Sequence, residues 1–115
     1  MWLMTKQGFY SVVQHKELAD TFMVRSRARR DLENILALVG EPLTGIGIVA
    51  TPHNDYAYRI IVTGEQKAVI LEVLGKEIDY PNFKSEIART QDQREKLPAY
   101  HDIWAVMHRT QKGDR

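Results

Sequence analysis

The sequence predicts an α+β protein in which an antiparallel sheet carries helices on one face. Runs of strand-forming residues fill much of the first 26 positions and return over residues 56–63. Apolar residues at helical spacing start at Leu32 and return in the C-terminal half. The resulting order of elements is β-β-β-α-β-β-α-α-α, which is typical of a sheet with helices packed on one side.

The N-terminal region predicts a hairpin followed by a third strand. Residues 2–5 and 9–15 are β-like runs around the KQG tripeptide, a short glycine-containing loop. Alternation in the second run puts Tyr10, Val12 and Gln14 on one side and Phe9, Ser11 and Val13 on the other. After a polar turn at residues 16–20, residues 21–26 predict a strand whose Phe22 and Val24 share one face.

The next segment predicts a helix and two more strands. The helix begins near Ala28 or Arg29 and ends at Gly40, a common helix terminator. Residues 41–45 predict a loop, and residues 46–50 a short strand that Gly47 weakens. The TPHND sequence at residues 51–55 is a strong turn signal, and YAYRIIVT at residues 56–63 is the clearest strand of the chain.

Three helices complete the pattern. Thr63 and Gln66 fit a capping box ahead of a helix over residues 65–78. Asn82 is expected to cap a short helix, which an exposed polar connection at residues 90–96 follows. Pro98 starts the last helix. That helix carries an apolar stripe made of Tyr100, Ile103, Trp104 and Met107.

We expect one domain over residues 1–110 and a frayed tail over residues 111–115. From Thr21 onward, the order strand–helix–strand–strand–helix is most of a ferredoxin-like split motif. The strand at residues 9–15 would fill the missing sheet position by permutation. No internal repeat or low-complexity segment interrupts the chain.

Composition narrows the classes of function. The chain has 115 residues, no cysteine and a formal net charge of +1, from 16 basic and 15 acidic residues. The absence of cysteine excludes disulfides, thiolate metal ligands and a cysteine nucleophile. The balanced charge argues against a wholly electrostatic nucleic-acid binder of the histone type. No apolar run is long enough for a membrane helix and no signal peptide is visible, so we expect a cytoplasmic protein without a membrane partner.

The run TFMVRSRARR at residues 21–30 is the most informative feature, because it carries four arginines within six residues. If helices cover Phe22 and Val24, then Arg25 and Arg27 point from the open face, and Arg59 joins them from the later strand. Arginines beside aromatic rings on an exposed sheet pair with phosphates and stack on bases, and Tyr10, Tyr56 or Tyr58 would supply the ring. Arg29 and Arg30, at the start of the following helix, add to the local positive electrostatic field. The alternative is a solvated sheet face on which arginine stems cover apolar surface.

A second cluster lies in TPHNDYAYR, residues 51–59. His53 has the chemistry of a general base near neutral pH, and Asp55 that of its orienting partner. A structural turn with an exposed His53 is the alternative, because Asn and Asp are common turn residues. The predicted ligand-binding residues from both clusters are Arg25, Arg27, Arg29, Arg30, Arg59, Tyr10, His53, Asp55 and Tyr58.

The sequence predicts no metal site, no cofactor and no catalytic residue. His101 and His108 are seven apart on the last helix, about 10.5 Å of rise, whereas a zinc pair on one helix needs a spacing of four. His15 and His53 would reach them only through tertiary contacts. Phosphate-binding loops, dinucleotide fingerprints and the G-x-S-x-G motif are absent from the sequence.

The phrases GFYSVVQH, VRSRARRDLENIL, DYAYRIIV, IDYPNFK and YHDIWAVMHR resemble a small family of uncharacterised bacterial or phage proteins. The resemblance covers most of the chain. It implies a single soluble domain and supplies no activity, substrate or site residue.

Three functions are therefore compared. The first is a non-enzymatic binding domain that recognises a nucleic acid, a nucleotide or another anion through the arginine-rich sheet face. The second is a protein–protein interaction module or homo-oligomer with aromatic anchors at Trp2, Tyr80, Tyr100 or Trp104. The third is a small enzyme centred on His53, Asp55 and Arg59.

Overall fold

A computed structural model describes residues 1–113 and has the predicted α+β architecture. The strands within this range are β1 (Trp2–Met4), β2 (Phe9–Gln14), β3 (Thr21–Ser26), β4 (Val49–Ala50) and β5 (Tyr58–Thr63). The helices are α1 (Arg29–Val39), α2 (Gly64–Lys76), α3 (Phe83–Arg89) and α4 (Leu97–Gly113). Single 3-10 turns lie at Glu41–Leu43 and Arg94–Lys96.

The chain divides into two compact units, Met1–Asp79 and Tyr80–Arg115. The N-terminal unit contains the sheet with α1 and α2, and the C-terminal unit contains α3 and α4. The single domain expected over residues 1–110 stays a prediction. Helix α4 extends to Gly113, three residues into the expected frayed tail, and the last two positions of that tail lie outside the described residues.

The sheet has the strand order β1-β2-β3-β5-β4, and every neighbouring pair is antiparallel. One row of directly paired residues crosses the whole sheet. Its members, from edge to edge, are Trp2, Ser11, Arg25, Arg59 and Val49. The order β2-β3-β5-β4 is compatible with the permuted ferredoxin-like arrangement, in which β2 takes the place of a final strand.

The other face of the sheet forms the core of the N-terminal unit. Val24 and Ile60 are paired across β3 and β5 and are fully buried. Leu32 and Ile35 of α1 and Ile70 of α2 pack in the same apolar cluster. Helices α1 and α2 therefore cover the face that carries Phe22 and Val24, as the alternation of β3 predicts, and the arginines of the next row lie on the opposite face.

Tyr10 corrects the predicted orientation of the hairpin. We expected its ring on the open face, but Tyr10 has no exposed surface and belongs to the core cluster. Its hydroxyl donates a hydrogen bond to the backbone carbonyl of Asp31 at 2.6 Å. The register pairs Ser11, not Tyr10, with Arg25. The large ring gains more from burial than the serine does, so the strand turns Tyr10 inward.

The start of α1 is joined to the first hairpin through Asp31. This side chain is 1% exposed, and its Oδ2 accepts a hydrogen bond from the backbone N–H of Phe9 at 3.1 Å. A Cβ atom on Gly8 would lie 2.5 Å from the Asp31 Cβ. Only glycine therefore fits between the hairpin loop and this helix turn.

Helix boundaries follow the predicted caps. Thr63 and Gln66 form the full capping box at the start of α2, and Asn82 accepts from the backbone N–H of Ser85 at the start of α3. Gly40 ends α1 with a φ of 73°. That backbone conformation favours glycine.

Several predicted segments differ from the structure. The strand expected over residues 56–63 begins only at Tyr58, and the helix expected over residues 65–78 spans Gly64–Lys76. The strand expected over residues 46–50 is limited to β4, and the connection expected over residues 90–96 contains a 3-10 turn and the fully buried Gln93. Short irregular segments are fixed by tertiary burial rather than by local periodicity.

The C-terminal unit is built on α3 and α4. Tyr100 is 5% exposed, and its ring lies 5.2 Å from that of Phe83. The rest of the predicted α4 stripe, Ile103, Trp104 and Met107, is exposed. Within the described residues, no helix has the length and apolar character needed to cross a membrane.

Candidate anion-binding site

Arg25 and Arg59 form the centre of the site. They are paired directly across β3 and β5, on the face of the sheet opposite the core, as the alternation predicted. Both side chains are partly exposed. The two side chains therefore leave the sheet on the same face, from two neighbouring interior strands.

Arg25 is positioned by a neighbouring strand. One of its terminal nitrogens donates a hydrogen bond to Ser11 Oγ at 2.8 Å, and Ser11 is 1% exposed. Its Nε is buried and has no hydrogen-bond partner. A buried donor without a partner is costly, so this part of the Arg25 side chain lowers the stability of the folded state.

Tyr56 lies beside the arginines. The guanidinium carbon of Arg25 is 4.5 Å from the centre of the Tyr56 ring, and that of Arg27 is 4.3 Å away. Tyr56 is 3% exposed. Cation–π contacts of this length hold a guanidinium in place while leaving its N–H groups available to an anion.

Arg59 is held by weaker contacts. Its Nε donates to Thr51 Oγ1 at 3.3 Å, and its terminal nitrogens lie 3.4 Å from the Tyr56 carbonyl and 3.5 Å from the Met23 sulfur. These distances are at the long end of the hydrogen-bond range. The loop before β5 therefore orients Arg59 without neutralising it.

Carboxylates do not neutralise this cluster. Among residues 1–113, no ion pair includes Arg25, Arg27 or Arg59. Arg29, by contrast, lies 3.7 Å from Glu33 on α1. Arg30 is exposed in the first turn of that helix. We call Arg25, Arg27 and Arg59, with the Tyr56 ring, the arginine cluster.

The turn before β5 does not assemble the predicted His–Asp pair. His53 is exposed, and the Asp55 side chain accepts a hydrogen bond from the backbone N–H of Tyr56 at 3.0 Å. The described contacts do not join His53 to Asp55. This geometry agrees with the structural-turn alternative.

Tyr58 lies away from the arginine cluster. It pairs with Ser26 and Ala50, one residue along from Arg59, and packs against the core. Its ring is therefore on the opposite side of the sheet from the arginines. Tyr10 and Tyr58 therefore do not share the face of the sheet that carries Arg25 and Arg59.

The sequence interpretation described the face opposite the core incompletely. Ser11 was placed on the wrong side of the hairpin, and Trp2 was considered only as an anchor for a protein partner. Tyr56 was named as a candidate stacking ring but was not among the predicted ligand-binding residues. Trp2 is 75% exposed and lies in the same cross-sheet row as the arginines. Alternation along β2 does not say whether Tyr10 or Ser11 faces the helices, and only the pairing of Ser11 with Arg25 settles it.

The two histidines of α4 stack on the ring of Trp104. Trp104 lies between them, with its ring centre 5.9 Å from His101 and 5.0 Å from His108. Across the described part of the chain, no group of three or more metal-ligating side chains is placed to hold an ion.

Comparisons with family models, curated proteins and solved structures find no match. The resemblance to bacterial or phage proteins stays a prediction. The function is therefore argued from the geometry of the arginine cluster.

Proposed function

We propose that this protein is a non-enzymatic binding domain that recognises an anionic ligand, a nucleic acid or a nucleotide, through the arginine cluster. The observation that carries the proposal is the direct pairing of Arg25 with Arg59 without a carboxylate at either residue. Like charges directly opposite each other on neighbouring strands destabilise a sheet. An anion bound by both arginines would replace their mutual repulsion with two attractive contacts.

Guanidinium chemistry favours phosphate as the anion. Arginine presents a planar set of donors that matches two phosphate oxygens, and such charge-assisted hydrogen bonds are stronger than neutral ones. The stacked position of Arg27 on Tyr56 limits the side-chain entropy that binding would cost.

Trp2 supports a nucleic acid rather than a free phosphate. It lies two strands from Arg25 in the same row, about 10 Å at the usual strand spacing. An exposed aromatic ring at that distance from a phosphate contact suits the stacking of a base in a single strand. The same row therefore offers contacts to both parts of a nucleotide.

Fluorescence anisotropy with labelled single-stranded oligonucleotides tests the proposal. The protein is titrated at several salt concentrations, beside the variants Arg25→Gln and Arg59→Gln. Three phosphate contacts predict a slope of about −2 for log K against log salt. Each variant should bring this slope closer to zero and weaken oligonucleotide binding about five- to tenfold.

Arg94→Gln is the matched control, because it removes one positive charge from the C-terminal unit. Circular dichroism should show that all three variants keep the wild-type spectrum. If no oligonucleotide or nucleotide binds at low salt, or if Arg94→Gln weakens binding as much as Arg25→Gln, the arginine cluster is not the binding site.

A further inference from the structure

Helix α4 exposes an apolar seam with the spacing of a coiled coil. Ile103 is 38% exposed and Val106 is 49% exposed, and both lie on one side of the helix. Ala99 and Thr110, also exposed, extend this seam by one position at each end. The spacing from Ala99 to Ile103, Val106 and Thr110 is four, three and four, which is the alternation of the two core positions in a heptad.

A pair of opposite charges flanks the seam. Asp102 immediately precedes Ile103. Arg109 lies seven residues after Asp102, which places the two charges on the same flank of the helix. Both are exposed, and neither takes part in an ion pair within the described residues. In heptad terms both occupy the position just before a core residue, where charges select the partner and its orientation.

We propose that a second copy of this chain packs against α4, with the two helices antiparallel. This arrangement places Ile103 of each copy in a layer with Val106 of the other. The outer layers then pair Ala99 with Thr110. With that register fixed by the apolar residues alone, Asp102 of each copy falls opposite Arg109 of the other.

The partner is inferred to be a second copy because the register set by the apolar residues also brings Asp102 of one copy to Arg109 of the other. An isologous interface must be self-complementary, so each contact has to occur twice about a two-fold axis. The Asp102–Arg109 contact meets this condition only for antiparallel helices. In a parallel pair Asp102 would face Met107, and the two charges would not meet.

The seam is short, which sets the strength of the association. Two central apolar layers bury less surface than a typical stable interface, so the dimer belongs to the weak and concentration-dependent class. An equilibrium between monomer and dimer is therefore expected at micromolar to millimolar concentrations.

Sedimentation equilibrium of the full chain at protein concentrations from about 10 μM to 1 mM tests the proposal. The wild type should show a reversible monomer–dimer equilibrium. Val106→Glu should lower the association constant at least about tenfold, because each dimer would bury two charges at the seam. Leu18→Glu, at a residue of similar exposure in the N-terminal unit, is the control and should leave association unchanged.

A charge exchange tests the orientation. Asp102→Arg and Arg109→Asp should each weaken association about fivefold or more, because each creates two like-charged pairs in the dimer. The double variant should restore the wild-type constant. A monomer throughout the concentration range, a Val106→Glu variant that associates like the wild type, or a double variant no better than the single ones would overturn the proposal.

Discussion

Arg25 and Arg59 lie directly opposite each other across β3 and β5, with no carboxylate partner among residues 1–113. A protein that used this face only as a solvated surface would gain stability by replacing either arginine with a neutral residue or an acid. The sheet instead supports both charges with Ser11, Thr51 and the ring of Tyr56. The pairing therefore has a cost in the unliganded protein that an anion would remove.

Phosphate or sulfate should raise the melting temperature of the wild type more than that of the Arg59→Gln variant. An anion that binds only the folded state raises the free energy of unfolding according to its affinity and concentration. At low ionic strength the variant should equal or exceed the wild type in melting temperature, because the repulsion from Arg25 is lost. Differential scanning calorimetry in chloride and in sulfate at equal ionic strength measures both effects. An equal sulfate response in the two proteins would contradict a specific anion site.

Tyr10→Phe should destabilise the protein by about 1–2 kcal/mol, because it removes the buried hydrogen bond to the Asp31 carbonyl. Tyr58→Phe is the matched control, since no hydrogen bond involves the Tyr58 hydroxyl within the described residues. Urea unfolding followed by circular dichroism gives the two values. Equal effects of the two substitutions would mean that the Tyr10 hydroxyl does not contribute through this bond.

Two glycines should respond to alanine with opposite signs. Gly8→Ala places a methyl group 2.5 Å from the Asp31 Cβ and should destabilise the fold by about 2 kcal/mol or more. The methyl group added by Gly75→Ala, near the end of α2, would have no atom within 4 Å. This substitution should stabilise the fold by about 0.5–1 kcal/mol. Thermal and urea unfolding of both variants provide the comparison. Destabilisation by Gly75→Ala would show that the end of α2 is more crowded than the structure indicates.

Much of the fold follows from local patterns that the structure confirms. Alternation in β3 assigned Phe22 and Val24 to the face that the helices cover, and Arg25 and Arg59 were assigned to the opposite face. Capping residues located the start of α2 at Thr63 and of α3 at Asn82. These signals are strong because each depends on residues a few positions apart.

The candidate site was harder to predict, since its members come together through register. The alternation of β2 is the same whether Tyr10 or Ser11 faces the helices, and only pairing with β3 decides between them. Tyr56 reaches Arg25 and Arg27 from a turn whose path no local rule fixes. The arginines were therefore predictable, whereas the choice of Tyr56 over Tyr10 and Tyr58 as the ring that contacts them was not.

Tyr56→Leu and Tyr56→Phe separate the ring of Tyr56 from its hydroxyl. Leucine removes both cation–π contacts, so oligonucleotide binding should weaken about three- to tenfold, and the domain should lose about 1–3 kcal/mol of stability. Phenylalanine keeps a ring at the same position, and no hydrogen bond involves the Tyr56 hydroxyl within the described part of the chain. Its affinity should stay within about twofold of the wild type. Anisotropy titrations at a temperature where both variants are folded make the comparison. If leucine binds as well as phenylalanine, the ring does not orient Arg25 and Arg27, and the anion site depends on the strand register alone.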